Sequence, residues 1–341
     1  MRKERLFYLD FIRAIATISI IMTHFNARYI YAGVQYIYKA IISTTFFNIY
    51  IGDWGVSLFF IISGAALMYV YQEKLEYKRF YKKRFESLYP MFWMAYIIAF
   101  IGLFYLNKGM FLQAPKKNFI LTIIGFDGYL AANIPTFYIL CEWFLGCIIL
   151  VYILFPLLRW GANKHPGTFS AAIILVYLLS IMCYQTGLSK AELVTVRLPE
   201  VFFGMLYMKY FKKTNWKVAL GALAVLIANT ILSPAFNSNI QTTYVGIAAF
   251  LVLTFIAKYM ECGVVKAICS FLSKYAYAIF LIHHFIIYKV TDMVDFYKIS
   301  TAESYGVFGI CVGIILVTSL VLYFLNDKFM WLFGKIVNKE K

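Results

Sequence analysis

Long apolar blocks recur along the whole chain and constrain its fold more than any other feature. A helix needs about 20 consecutive apolar residues to cross a bilayer. Ten segments approach that length: 7–25, 55–71, 88–106, 137–158, 168–185, 196–211, 216–233, 240–257, 267–290 and 304–325. Of all residues, 62% are hydrophobic and 14% are charged, whereas a soluble domain carries roughly a quarter charged residues. The sequence therefore predicts an all-α, polytopic membrane bundle of about ten transmembrane helices.

Two further apolar segments, 36–51 and 118–132, are shorter and are broken by Gly, Asn or Thr. We expect them to be re-entrant or surface pieces, although either one could span the membrane and change the helix count. No repeat, long linker or low-complexity stretch divides the chain. The expected organisation is one membrane domain over residues 1–341.

The net charge of +16 does not indicate nucleic-acid binding, because the basic residues lie in short loops between apolar blocks. If the N-terminus is inside, the segments on that side carry 21 of the 32 Lys and Arg residues and the outer segments carry 7. An excess of Lys and Arg marks cytoplasmic loops. We expect a multi-pass protein of the cell membrane, a bacterial plasma membrane, with cytoplasmic termini and the lipid bilayer as its main partner.

The first apolar block contains an aspartate, an arginine and a histidine: Asp10, Arg13 and His24. Such a residue costs about 2.5–3.5 kcal/mol inside a membrane helix and is a functional candidate. Asp10 and Arg13 are three residues apart and can meet on one helix face. Arg13 and His24 are eleven apart, so they lie within about 20° of each other and about 16 Å apart along the axis. This geometry suits a donor with two ends, held by the arginine and reaching the histidine.

Structural alternatives remain for these residues. Asp10 and Arg13 can form a buried ion pair that locks the first helix to its neighbours, and His24 can be an interfacial histidine without a catalytic role. Ser63-Gly64-Ala65-Ala66 can be a packing notch, the better-supported interpretation, or can make room for a cofactor arm.

Two other groups of residues are candidates for binding. The predicted cytoplasmic loop 72–87 contains Lys82, Lys83 and Arg84 among six basic residues, which can bind the phosphates of a nucleotide carrier or an anionic leaflet. His283 lies in a span at a depth comparable to that of His24. The histidines are too few and too scattered to indicate a metal site.

In their order and spacing, several motifs together resemble the acyltransferase 3 family of integral membrane acyltransferases over nearly the whole chain. The motifs are Asp10-Phe-Ile-Arg13, the Arg-x10-His spacing of Arg13 and His24, Leu58-Phe-Phe-Ile-Ile-Ser-Gly64, Arg84 with Tyr89-Pro90, Trp143-Phe-Leu145 with Tyr152 and Pro156, Arg197-Leu-Pro-Glu-Val-Phe-Phe-Gly204, and Tyr277-Ala-Ile-Phe-Leu-Ile-His283. One departure is Ser87, which stands where many members have the second arginine of Arg-x-x-Arg. Lys82 or Lys83 can replace its charge but not its bidentate hydrogen bonding.

The resemblance implies transfer of an acetyl or other short acyl group from cytoplasmic acyl-CoA, such as acetyl-CoA, to a hydroxyl of a cell-surface or lipid-linked polysaccharide. No metal and no nucleic acid take part. The expected catalytic residues are His24, Arg13 and Asp10. The expected acyl-CoA contacts are Arg13, Ser63, Gly64, Lys82, Lys83 and Arg84, and the expected acceptor contacts are His283, Glu142 and Arg197, with Asp53 and Asp127 as weaker candidates for hydroxyl contacts.

Two other function classes stay open at this point. Buried charges and broken segments also occur in multi-pass transporters, here of a glycan precursor or small solute, although the sequence lacks the matching pair of broken helices typical of carriers. The second class is a structural scaffold for polysaccharide assembly, for which Arg13 and His24 would tolerate substitution.

Overall fold

The computed structural model describes residues 4–109, 114–140 and 143–339. Glu142, a predicted acceptor contact, lies outside the described residues. Twelve α-helices occur in the described part of the chain: α1 (Phe7–Ala32), α2 (Ile51–Tyr71), α3 (Tyr77–Leu106), α4 (Phe119–Ile124), α5 (Asp127–Leu130), α6 (Trp143–Lys164), α7 (Pro166–Cys183), α8 (Val194–Leu206), α9 (Trp216–Leu232), α10 (Ser238–Met260), α11 (Gly263–Thr291) and α12 (Thr301–Lys339). A short antiparallel hairpin of β1 (Thr45–Phe46) and β2 (Ile49–Tyr50) precedes α2.

Every one of the ten predicted spans overlaps a helix, so the all-α polytopic bundle is confirmed. The span predicted over 137–158 starts too early, because residues 137–140 are not helical and α6 is described from Trp143. Within the described ranges, eight helices are long and apolar enough to cross a membrane: α1, α2, α3, α6, α7, α10, α11 and α12. The remaining two are shorter. Helix α8 has 13 residues and continues as a π-helix over Tyr207–Phe211, and α9 has 17 residues. The chain is a membrane protein.

The segments 36–51 and 118–132 do not form spans. The first contains most of a 3-10 helix (Val34–Lys39) and the β1–β2 hairpin. The second contains α4 and α5, with six and four residues. A six-residue helix rises only about 9 Å, far less than the thickness of the hydrocarbon core.

Large apolar side chains remain exposed on the outer helices. On α7, for example, Leu175 is 58% exposed and Met182 is 72% exposed. Such a surface would be costly in water but suits contact with lipid chains. The backbone hydrogen bonds of an α-helix are satisfied within the helix, as a hydrocarbon environment requires.

The chain divides into two compact units. The first consists of Met1–Leu75 and Leu150–Ala276, and the second of Glu76–Ile149 and Tyr277–Lys341. In the first unit α2 packs against α1, α8 and α10, while α9 packs on α10 and α7 packs on α8. In the second unit α12 packs on α3. The assignment of residues 1–341 to one domain stays a prediction.

Candidate functional site

A cluster of charged side chains surrounds Asp10 near the start of α1. The Ser273 hydroxyl on α11 donates a hydrogen bond to Asp10 Oδ1 (2.6 Å) and accepts one from Arg13 Nη1 (2.8 Å). Arg13 Nη1 lies 3.7 Å from Asp10 Oδ1, and the Arg5 guanidinium pairs with Asp10 Oδ2. The structure therefore brings Asp10 and Arg13 together, as their spacing predicts, and adds Ser273 as a bridge between them.

This cluster contains two guanidinium groups and one carboxylate. The Asp10 side chain is almost fully buried, whereas that of Arg13 is 28% exposed. One positive charge therefore has no carboxylate partner within the cluster, and uncompensated charge is costly in an apolar protein interior. Arg13, which is held in place from two sides and is partly accessible, is suited to contact an anion.

His24 lies near the other end of the same helix. Helix α1 runs without interruption from Phe7 to Ala32, so the eleven-residue spacing keeps Arg13 and His24 on one face, about 16 Å apart along the axis. Both residues are half-buried. The residue before His24 contacts α2, because a Cβ built on Gly52 would lie 2.9 Å from Thr23 Oγ1.

The loop between α1 and α2 is fixed next to His24 by Asn26, a fully buried residue. The Asn26 amide nitrogen donates to the carbonyls of Ile41 (3.0 Å) and Ser43 (3.1 Å), and its oxygen accepts from the Ile41 backbone N–H (2.8 Å). On α9, Asn229 donates to the Phe47 carbonyl at 2.7 Å. The loop is thereby tied to two helices and can form a defined wall at this end of the first unit.

A second charged cluster joins α2 and α8 in the first unit. Arg197 Nη1 lies 3.2 Å from Glu200 Oε1, and Arg197 Nη2 lies 3.7 Å from Asp53 Oδ1. Arg197 and Glu200 are buried, while the Asp53 side chain is 33% exposed. Asp53 lies in the first turn of α2, next to Gly52, so this cluster belongs to the same end of the unit as His24.

Gly64 lies at the closest approach of α2 and α8. A Cβ on Gly64 would be 1.9 Å from the Val201 carbonyl oxygen, and a Cβ on Gly204 would be 2.0 Å from that of Ile61. Ser63 Oγ donates to the Phe59 carbonyl at 2.7 Å, within its own helix. This geometry supports the packing interpretation of the small-residue motif, with Gly64 and Gly204 as a reciprocal pair.

The predicted basic loop is largely helical. Because α3 begins at Tyr77, the segment with Lys82, Lys83 and Arg84 forms its first turns rather than a loop. Lys82 Nζ lies 3.7 Å from Glu86 Oε1, and Lys83 is exposed. The Arg84 guanidinium carbon lies 5.7 Å from the centre of the Phe80 ring. No glycine interrupts residues 72–87 and the first proline is Pro90, so nothing local prevents the helix from extending.

His283, in the second unit, is 1% exposed. Its Nδ1 lies 2.8 Å from the Phe280 carbonyl oxygen and 3.1 Å from that of Ile279. Carbonyl oxygens only accept hydrogen bonds, so Nδ1 carries a proton in these contacts. Among the residues that the structure describes, no group of three or more His, Cys, Asp and Glu side chains could hold a metal ion.

Sequence reasoning missed three members of these clusters. Glu200 follows Arg197 by three residues, the same spacing as Asp10 and Arg13, so the helix rule used for the first pair could have found it. Arg5 precedes the apolar block, and from the sequence it was only one of the basic residues that predict the orientation of the chain in the membrane. Ser273 is 260 residues from Arg13, and no local pattern relates the two.

The fold and these clusters define a polytopic membrane protein with charged groups inside its helical bundle. A family described as an acyltransferase domain, acyltransferase 3, matches residues 6–324. The chain belongs to this family and is a membrane acyltransferase. Comparisons with individual curated proteins and with solved structures give no match. Membership of an acyltransferase family favours group transfer over the transporter and scaffold alternatives.

Proposed function

We propose that this acyltransferase moves an acetyl or other short acyl group from cytoplasmic acyl-CoA to a hydroxyl of a cell-surface or lipid-linked polysaccharide. The membrane is a bacterial plasma membrane, and both chain termini are cytoplasmic. One observation carries the proposal: a braced, partly accessible Arg13 and a half-buried His24 occupy one face of an uninterrupted helix. The family match supports the transfer chemistry.

The donor end is the cluster around Asp10. Coenzyme A carries several phosphate charges, and the cluster's surplus positive charge attracts such an anion. Asp10 orients Arg13. The phosphate contacts expected of Lys82, Lys83 and Arg84, which lie in the second unit, stay predictions from the sequence. Ser63 and Gly64 were expected to make room for the arm of the carrier. Because the Gly64 backbone packs against α8, the more accessible Ser63 is the better candidate.

The acceptor end is at His24. His24 takes the proton of the sugar hydroxyl while the hydroxyl oxygen attacks the thioester carbonyl carbon. A carbon–oxygen bond forms and the carbon–sulfur bond breaks, and the coenzyme A thiolate leaves and takes up the proton. In the two-step variant, an imidazole nitrogen of His24 attacks the thioester carbonyl carbon, and the coenzyme A thiolate leaves with the imidazole proton. The sugar hydroxyl then attacks the acyl-imidazole, the carbon–nitrogen bond breaks, and the hydroxyl proton returns to the imidazole. Arg197 belongs to the charged cluster at the same end of the first unit as His24. The acceptor contacts expected of His283 and Glu142 stay predictions from the sequence.

The test substitutes His24 with alanine. General-base catalysis contributes about 10²- to 10⁴-fold in rate, so His24→Ala should lower acyl transfer by at least about 100-fold in membranes with equal protein levels. The matched control is His165→Ala, because His165 is exposed and precedes α7 outside the clusters described above. Undiminished acylation of the native glycan by His24→Ala would reject His24 as the catalytic group.

A second measurement separates the direct and two-step routes. Purified protein is incubated with acyl-labelled acyl-CoA in the absence of acceptor and then denatured. Label retained on the wild-type chain but absent from His24→Ala indicates an acyl-histidine, whereas unlabelled wild-type protein that transfers normally indicates direct attack. A transporter would instead move solute without release of coenzyme A.

A further inference from the structure

The charged cluster on α2 and α8 bears on the kind of sugar that is accepted. Arg197 was expected to contact the acceptor, yet its guanidinium group is already engaged. The Arg197 Nε donates a hydrogen bond to the Ala191 carbonyl (2.6 Å), and the two terminal nitrogens face Glu200 and Asp53. The guanidinium carbon lies 5.7 Å from the centre of the Phe60 ring. An arginine held on all sides and 2% exposed cannot turn toward a ligand without breaking these contacts.

The sign of the charge in this cluster is fixed by its composition. One guanidinium faces two carboxylates, so the net charge is −1 with both carboxylates ionised and zero with one of them protonated. Glu192, in the turn before α8, adds a further carboxylate that interacts with Arg197. Lys190, two residues before Glu192, donates a hydrogen bond to the Ile181 carbonyl at 2.5 Å. A carboxylate or phosphate on the ligand would be repelled here.

Asp53 is the member of the cluster that a ligand can reach. Its side chain is 33% exposed, whereas Glu200 is fully buried. A carboxylate has about four acceptor positions, and the contact with Arg197 involves Oδ1. The other oxygen is suited to accept hydrogen bonds from hydroxyl groups, which are donors that a neutral sugar supplies in number.

An aromatic ring lies beside this carboxylate. The Tyr50 side chain packs against Gly52, whose built Cβ would lie 2.7 Å from Tyr50 Cε1, and Tyr50 is 36% exposed. On its other side Gly52 contacts Thr23, the residue before His24. A partly exposed ring next to a fixed carboxylate is a common arrangement in binding sites that combine apolar surface with few oriented polar groups.

We infer that the acceptor is a neutral, hydroxyl-rich sugar rather than a uronic acid or phosphorylated sugar, and that Asp53 accepts hydrogen bonds from its hydroxyl groups. Arg197 and Glu200 act as positioning residues that hold the Asp53 carboxylate in place. This inference rests on the proposed transfer of an acyl group to a polysaccharide. It specifies the chemical class of the acceptor sugar. It also changes the expected role of Arg197 from a contact with the acceptor to a residue that positions Asp53.

The test first locates the ester on the glycan. Surface glycan from cells with the wild-type protein or with His24→Ala is compared by nuclear magnetic resonance, which identifies the acylated residue. An ester on a neutral residue that is missing in His24→Ala supports the inference. An ester on a uronic acid or phosphorylated residue overturns the inference but leaves the proposed function intact. Absence of any difference between the two glycans overturns the proposed function, and this inference with it.

Substitution of Asp53 provides the second test, with the purified protein in lipid nanodiscs and the native glycan as acceptor. Asp53→Asn should raise the KM for the glycan by at least about 10-fold and leave the KM for acyl-CoA unchanged, and Asp53→Glu should restore part of the loss. The matched control is Asp295→Asn, which removes an exposed carboxylate paired with Lys298. An unchanged KM for the glycan in Asp53→Asn, or an equal rise in both KM values, overturns the assignment of Asp53.

Discussion

Substitution of Ser273 tests the structure directly, because the sequence alone gave this residue no role in the site. Its hydroxyl lies between the two side chains that α1 contributes to the proposed donor end, 2.8 Å from Arg13 Nη1 and 2.6 Å from Asp10 Oδ1. Without this hydroxyl, the arginine would face the carboxylate only through the longer 3.7 Å contact. Ser273→Ala should therefore loosen Arg13 without removing any charge.

The expected magnitude follows from the two lost hydrogen bonds. A hydrogen bond to a charged group contributes about 1.5–3 kcal/mol. Arg13 and Asp10 can close part of their gap once the hydroxyl is gone, so we expect a net loss of about 2 kcal/mol rather than the full sum. At about 1.4 kcal/mol for each factor of ten, this corresponds to a roughly 30-fold weaker interaction with the donor.

The assay is steady-state transfer by purified protein, with acyl-CoA and glycan varied separately. The KM for acyl-CoA should rise about 30-fold in Ser273→Ala, while kcat and the KM for the glycan change little. Ser273→Thr keeps a hydroxyl and should recover most of the donor affinity. The matched control is Ser319→Ala in α12, because Ser319 is 1% exposed and its hydroxyl has no hydrogen-bond partner among the described residues. A normal KM for acyl-CoA in Ser273→Ala would refute the positioning role, as would equal effects of the two alanine substitutions.

Three further predictions concern stability and loop geometry. Gly204→Ala should separate α2 and α8 and lower the melting temperature by several degrees, because the alanine Cβ would lie 2.0 Å from the Ile61 carbonyl oxygen. Gly221→Ala in α9 should leave the melting temperature unchanged, because the space around its Cβ is open. Asp127 lies in a short helix outside the spans, and burial raises its pKa to about 6. The native state therefore binds the proton of Asp127 more tightly than the unfolded state does. The free energy of unfolding should fall as pH rises from about 4 through about 6. Melting curves from pH 4 to 8 should show this slope in the wild type and lose it in Asp127→Asn. Asn26→Ala should increase protease cleavage within residues 33–50 while its effect on the KM for acyl-CoA stays small, because the lost hydrogen bonds hold the loop and not the donor end.

The sequence was sufficient for features that depend on local periodicity and apolar length. Each of the ten apolar segments overlaps a helix, and the three-residue spacing of Asp10 and Arg13 produces the contact it predicts. The start of α3 was misjudged, because residues rich in Lys and Arg were taken as a loop although nothing in them ends a helix. An excess of Lys and Arg indicates the side of the membrane on which a segment lies, but not whether that segment is a helix or a loop.

What the sequence could not provide is the pairing of residues that are distant along the chain. Ser273 reaches Asp10 and Arg13 only because the fold brings this part of α11 to the start of α1. Asp53 meets Arg197 only because α2 and α8 cross closely. That crossing in turn depends on Gly64 and Gly204. A motif of small residues can serve either packing or a ligand, and the positions of the opposing backbone are needed to decide between them.

The two charged clusters of the first unit have opposite surplus charge. The one at the start of α1 has two cations and one carboxylate, and the one on α2 and α8 has one cation and two carboxylates. Opposite charges interact strongly where water is excluded, so an anionic carrier gains at one end and is repelled at the other. A coenzyme A molecule in this field would keep its phosphates beside Arg13 and extend only its uncharged thioester arm toward His24. The charge distribution of the bundle would then hold the donor in one orientation and keep the acceptor end free for a neutral alcohol.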